Sequence, residues 1–392
     1  MMSELLESRW TETKDALLEG LDGNKKSVMA ATLENTRKYL SESATAGATS
    51  AGNVATLNRV ILPVIRRVMP TVIANELVGV QPMTGPVGQI HTLRVRYAEA
   101  FDSAAGTDTA AGEEALSPFK IAEGYSGAAD DKAATTAALE GQAGRKLSIQ
   151  ILKQTVEAKS RKLSARWTFE AAQDAQSMHG IDVEAEIMAA LAQEITAEID
   201  QEVLASLSSL AGNAAETYDQ AAVSGTATFV GDEHAALAVQ INRVANLIAQ
   251  RTRRGAGNYA VVSPFALTIL QSATTSAFAR TTEGTFEAPT NTKMVGTLNN
   301  AMKVYVNTYS ADGADVLVGY KGASESDAPA FYCPYIPLMS SGVVLDPSTF
   351  EPTVSFMTRY GYVELSNTAS SLGNAADYLA KVAITNGNVS FS

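Results

Sequence analysis

The sequence predicts an α+β protein. Three patterns carry that expectation: an apolar repeat of helical spacing after Asp182, strand alternation on both sides of a small-residue excursion at 98–146, and a helix, strand, helix order from Asp232 onward. With 392 residues the chain is longer than one ordinary core requires, so two compact units or one domain with large excursions fit its length. Its 46% apolar and 18% charged residues place it among chains that fold, away from the disordered and fibrous classes.

Lys+Arg 30 against Asp+Glu 42 gives a formal charge of -12, and a protein whose task is gripping phosphates carries the opposite balance. A wall around a polyanion is a different case, because negative charge keeps it from trapping its contents. The single cysteine, Cys333, excludes an intrachain disulfide and suits a reducing compartment. No run of 18 apolar residues occurs, and the first ten residues lack a basic and then apolar leader, so neither a membrane span nor secretion is expected.

Residues 4–42 are polar and helix-prone, with Leu5, Leu6, Leu17, Leu18, Leu33 and Leu40 as sparse apolar points, and 41–52 is a small-residue hinge. Residues 1–55 are therefore expected to form an N-terminal arm. Apolar density rises over 57–80, where Pro63 and Pro70 break any long helix. Residues 90–97 alternate as a strand, and the alternation resumes at Leu147, Ile149 and Ile151. Between them, 98–146 holds few large apolar residues, among them Phe101, Phe119, Ile121 and Tyr125, and reads as a long excursion between paired strands.

Asp182 is an N-cap, and Ile187, Leu191, Ile195, Ile199, Val203 and Leu207 recur at every fourth position, which predicts one long helix over 182–210. A spacing of four on a 3.6-residue turn rotates the stripe by roughly 40° per step, so this helix meets different neighbours along its length. A second helix runs from Asp232, through Leu237, Ile241, Val244 and Ile248, to the cationic end at Arg251, Arg253 and Arg254. A strand at Tyr259–Val262 then meets Ser263 and Pro264, a cap followed by proline at the first helical position, and strands follow at Met302–Val306 and 316–320.

Chemistry finds little to stand on. His91, His179 and His234 are isolated, and no His, Cys or acidic pair has the spacing of a zinc or calcium site. Gly255-Ala256-Gly257-Asn258-Tyr259-Ala260 matches a weak dinucleotide pattern, but it follows a helix and precedes a strand, the reverse of a phosphate cradle, so it reads as a helix stop. Cys333 beside Pro334 reads as a buried structural thiol. No catalytic, metal or cofactor-binding residues are assigned. The basic runs at Lys159, Arg161 and Lys162 and at Arg251, Arg253 and Arg254 are candidates for docking partner carboxylates, against a default of solvated charge.

Four stretches carry a resemblance. They are Val80-Gln81-Pro82-Met83-Thr84-Gly85-Pro86-Val87-Gly88 with Arg94-Val95-Arg96-Tyr97; Glu157-Ala158-Lys159-Ser160-Arg161-Lys162-Leu163; Glu170-Ala171-Ala172-Gln173-Asp174 with His179-Gly180-Ile181-Asp182; and Phe331-Tyr332-Cys333-Pro334-Tyr335-Ile336-Pro337-Leu338 with Phe350-Glu351-Pro352 and Thr358-Arg359-Tyr360-Gly361. In order and separation, over about 57–365, these resemble the major capsid proteins of T-even-type tailed bacteriophages. The resemblance implies the tailed-phage capsid fold: an arm at 1–55, a peripheral domain at 56–235 with a spine helix (182–210), a long sheet and an extended loop (98–146), an axial α/β domain at 236–349, and a return to the peripheral domain at 350–392. The loop is too short for the insertion domain of larger family members.

The resemblance further implies a non-enzymatic subunit of an icosahedral virion shell, assembled in the host bacterial cytoplasm without cofactors, forming hexamers and pentamers with vertex, scaffold and portal proteins, and with a decoration protein where one exists. Such a shell encloses double-stranded DNA without reading its sequence and touches no membrane. Candidate intersubunit contacts are Phe119, Ile121 and Tyr125 in the loop, with Lys159, Arg161, Arg253 and Arg254. Proteins of this family are often trimmed by a prohead protease, for which Leu40-Ser41-Glu42 is a matching site, although retention of the arm is favoured. The alternatives are a capsid vertex protein of the same fold and, from a different class, a cofactor-binding α/β enzyme. Copy number in particles separates the first, and ligand retention or turnover the second.

Overall fold

Strands β1 (Gly79–Val80), β2 (Val87–Tyr97), β3 (Leu147–Glu157), β4 (Lys159–Arg166), β5 (Glu216–Asp219), β6 (Tyr259–Val262), β7 (Phe278–Arg280), β8 (Lys293–Leu298), β9 (Met302–Val306), β10 (Val316–Gly319), β11 (Ala330–Ser340), β12 (Val344–Leu345), β13 (Pro352–Glu364) and β14 (Leu379–Thr385) form three sheets. The structure, a computed structural model, describes residues 10, 14–15, 18, 23–45, 73–102, 108–113, 115, 124–127, 133–140, 144–179, 182–219, 230–252, 254–273, 278–280, 293–299, 301–311, 313–325, 327–346, 348–349, 351–365 and 375–385.

The described residues divide into two units, and the chain passes between them after Gly88, Thr155, Ala205, Ala330 and Val363. Unit 1 draws on Met1–Gly88, Val156–Ala205 and Phe331–Val363, and unit 2 on Gln89–Thr155, Ser206–Ala330 and Glu364–Ser392.

In unit 1 the strands converge on β13. β4 pairs with it antiparallel from Thr353↔Arg166 to Tyr360↔Lys159, β12 pairs at Val344↔Thr353, β11 lies beside it, and β1 joins β11 in parallel with Val80 opposite Tyr332. Val80, the 159–163 stretch, the 331–338 stretch and Thr358-Arg359-Tyr360-Gly361, which carry part of the family resemblance, thus lie in one sheet. A Cβ on Gly361 would run into the Val156 side chain and the Glu157 carbonyl, so this strand position tolerates no side chain.

The long helix is Val183–Leu210, and Asp182 caps it by accepting from the N–H groups of Glu184 (3.1 Å) and Ala185 (3.4 Å). Leu191, Ile195, Ile199, Val203 and Leu207 are buried, as the fourfold spacing predicts. A second buried row, Ala192, Thr196, Asp200 and Leu204, lies beside the first and carries a carboxylate, while Glu194, Glu198 and Glu202 are exposed.

Helix Gly23–Thr45 buries Val28, Met29, Thr32, Leu33 and Asn35. Asn35 donates its amide to the carbonyls of Met83 (2.6 Å) and Tyr335 (3.1 Å). Within the expected arm, 1–55, this helix thus has one buried stripe, held by acceptors at Met83 and in β11.

Unit 2 holds a seven-stranded sheet in the order β5-β14-β10-β6-β9-β8-β7, in which β6/β9 and β5/β14 are parallel. Leu237, Ile241, Val244 and Ile248 of helix Val230–Thr252, each 0% exposed, share one core with Ala260, Val262, Val304, Val306, Val316 and Val318, alternate residues of their strands. That helix starts at Val230, so Asp232 sits inside the first turn and is not the cap expected. Ser263 does cap helix Pro264–Ser272, accepting from the Ala266 N–H at 3.2 Å with proline at the first position.

Two expected boundaries move. β11, placed in the 236–349 domain by the sequence, belongs to the sheet of unit 1, and β14, expected back beside the long helix, pairs with β10 and β5 in unit 2. Each strand has a buried apolar face, so composition alone does not say which sheet takes it.

Candidate intersubunit surfaces

The flanks of the 98–146 excursion pair as a two-stranded ribbon, β2 with β3. The Ala98 N–H donates to the Lys146 carbonyl at 3.0 Å, so the excursion leaves and returns at one point. Just beyond that point it builds a small core of its own. Tyr97, Phe101, Ala115 and Tyr125 are buried together, the Tyr97 and Tyr125 rings 4.6 Å apart and the Phe101 ring edge-on to Tyr125 at 6.2 Å. The Tyr125 hydroxyl donates to the Lys146 carbonyl at 2.8 Å and accepts from the Glu99 N–H at 3.3 Å. The Arg145 guanidinium lies 3.9 Å over the Phe101 ring and donates to the Tyr125 carbonyl at 3.2 Å.

Tyr125, expected at an intersubunit contact, packs inside the excursion of its own chain. Four mutually packed side chains and an arginine clamp do what composition alone did not foresee. Phe119 and Ile121 lie outside the described residues. β3 presents an apolar face to solvent: Leu147, Ile149 and Ile151 are 55%, 69% and 65% exposed and, at alternate positions, share one face. The sequence held this signal, since three large apolar residues flank a segment too poor to cover them, but alternation names a face without naming what lies on it.

Of the basic candidates, Arg161 is engaged inside unit 1. It lies 3.1 Å from Glu198 and 2.5 Å from Glu202, and its Nε donates to the Tyr360 hydroxyl at 2.5 Å, which in turn donates to Glu202. Burial alone would lower the guanidinium pKa, but the bonds to Glu202 and Tyr360 outweigh it and hold the charge. Its neighbour Lys159 is exposed on β4. Arg254 donates to Asp327 at 2.5 Å, Asp327 also accepts from the Tyr378 hydroxyl at 3.2 Å, and Tyr320 stacks on Tyr378 with ring centroids 6.3 Å apart. Arg161 and Arg254 thus each have partners within the chain, and Arg253 lies outside the described residues.

The glycine pattern before β6 proves to be a packing device. A Cβ on Gly257 would come within 2.9 Å of Val318 and 3.3 Å of Ala245, so the turn is pressed between helix and strand. Cys333 is buried, and burial pushes its thiol up to about 11, away from nucleophilic reactivity. Glu42 falls in the last turn of helix Gly23–Thr45, its side chain outside the described residues.

A family model described as "Major capsid protein Gp23" matches residues 54–384. Among curated relatives, the major capsid protein of Enterobacteria phage T4 is 30% identical, over 82% of this chain and 78% of that protein. The major capsid protein of Vibrio phage KVP40 is 29% identical, over 85% of this chain and 82% of its own length. Among solved structures, the asymmetric unit of the bacteriophage PhiM1 mature capsid aligns over 80% of this chain and 86% of that one, with 12% identity and a TM-score of 0.46.

Proposed function

This chain belongs to the Gp23 family of phage major capsid proteins and is a subunit of the virion shell; we propose that its copies join as hexamers and pentamers through the β2–β3 ribbon and the loop it carries. The observation behind this reading is the exposed apolar face of Leu147, Ile149 and Ile151. A two-stranded ribbon is marginal in water, and a neighbouring copy laid over that face removes it from solvent.

In this reading unit 1, with its long helix, serves as the peripheral domain, the seven-stranded core of unit 2 as the axial domain, and the ribbon with its excursion as the extended loop. Repeated heterologous contacts close into rings, and many weak contacts per subunit hold a shell while allowing errors to dissociate. Lys159 remains a docking candidate. Vertex, scaffold and portal proteins are the expected partners, a decoration protein joins where one exists, and assembly takes place in the host cytoplasm. The net charge of -12 lets the wall enclose double-stranded DNA without gripping it. Helical backbone around Glu42 supports retention of the N-terminal segment, since a protease needs its scissile stretch unwound.

The test is co-expression of the full chain with a scaffold, read by electron microscopy. Shells, tubes or hexameric sheets are expected, with this chain as the dominant protein of the particles. Compact monomers at high concentration, or a copy number tens of times below the dominant band as for a vertex subunit, would refute it.

A further inference from the structure

Asp200 occupies the second buried row of helix Val183–Leu210 and is 2% exposed. Its one hydrogen bond among the described residues comes from the backbone N–H of Ile73, at 2.8 Å. Ile73 precedes helix Ala74–Leu77 and supplies no side-chain cap of its own, so a carboxyl 127 residues away fixes the point at which the chain enters β1.

Among the described residues, the elements around Asp200 offer its charge no cation of their own. Helix Ala74–Leu77 brings Glu76, which pairs with Lys25 of helix Gly23–Thr45 at 3.1 Å. β11 brings Tyr332 and Cys333, both buried and neither a cation. β13 brings Tyr360, bonded to Arg161 and Glu202, and on its own helix Glu198 and Glu202 hold Arg161. Lys25 and Arg161 are committed to other carboxylates, and Arg359 of β13 lies over the Tyr335 ring. A buried carboxylate with a single donor is poorly solvated when ionised, whereas a protonated carboxyl still accepts from Ile73 through its carbonyl oxygen.

We propose that Asp200 is a proton-operated latch: as a neutral acid it holds the chain at Ile73 against the long helix, and ionisation releases that hold. Burial raises the carboxyl to about 7, with only the Ile73 N–H pulling the other way. The raised value means that the folded chain keeps a proton which the unfolded chain loses near 3.9. The latch's contribution is therefore full below about 4 and is lost as pH rises through about 7. The inference concerns the subunit itself and does not depend on how copies assemble.

The experiment compares the unassembled full chain with Asp200→Asn between about pH 5 and about pH 8. Two readouts are needed: thermal unfolding, and deuterium exchange at residues 73–77 corrected for the intrinsic pH dependence. Across that range the unfolding constant of the wild-type chain should rise about a hundredfold relative to the variant, whose neutral amide oxygen keeps the Ile73 bond. Protection at Ile73 should fall with pH in the wild type alone. A variant weaker than wild type by the same factor at every pH would overturn the latch, and so would flat wild-type protection, which decides the matter even if the variant does not fold.

Discussion

Asn35 sits on a helix whose neighbours give no hint of its partners, yet its amide serves the Met83 and Tyr335 carbonyls, 48 and 300 residues away. Asn35→Ala leaves both acceptors buried without that donor, and should lower stability by about 1–3 kcal/mol in chemical denaturation. His234 is 3% exposed, with Ser272 at its Nδ1 and, among the described residues, no partner for Nε2. The Ser272 hydroxyl donates to the Ile269 carbonyl at 3.2 Å, so the imidazole carries its proton on Nδ1, donates it to Ser272, and leaves Nε2 a bare acceptor. Burial lowers its basicity, against the opposite pull of Glu233. Its stabilising share is present above about 6.5 and is lost as pH falls through that value toward the lower folded one. The stability gap between wild type and His234→Gln should therefore narrow on acidification, the reverse of the trend at Asp200, and a gap independent of pH would contradict it. Asp182 and Ser263 were readable as caps because a cap bonds within three residues. Asn35 and Asp200 were not, because their partners are distant in sequence.

The β2–β3 ribbon is legible in the sequence as two alternating strands around an excursion. What period-two patterning could not reveal is that Leu147, Ile149 and Ile151 face solvent in the subunit, while Tyr125 faces inward. Replacing Ile149 and Ile151 by threonine keeps the strand preference but removes the apolar face. The unfolding free energy of the unassembled chain should then change by no more than about 0.5 kcal/mol per site, while the yield of shells falls sharply. A subunit that unfolds far more easily, with unchanged assembly, would assign these residues to an internal core instead.

At the scale of the molecule, the long helix, the β6 to Pro264 junction and the strand pairs flanking the excursion followed from local periodicity and capping. The allocation of β11 and β14 to their sheets did not, because both strands are apolar enough for either place and only long-range pairing decides. The same pairing has a consequence for synthesis. β13, on which the sheet of unit 1 converges, lies near the end of the chain, whereas β1 is made early. At about 5–20 residues per second, roughly 15 to 60 s separate their emergence from the ribosome. Among the described strands β1 waits for β11 and β4 for β13, and a truncated product ending before β11 gives neither its partner. A chain cut short before β13 thus lacks the strand on which the sheet of unit 1 converges, so incomplete chains exclude themselves from the wall.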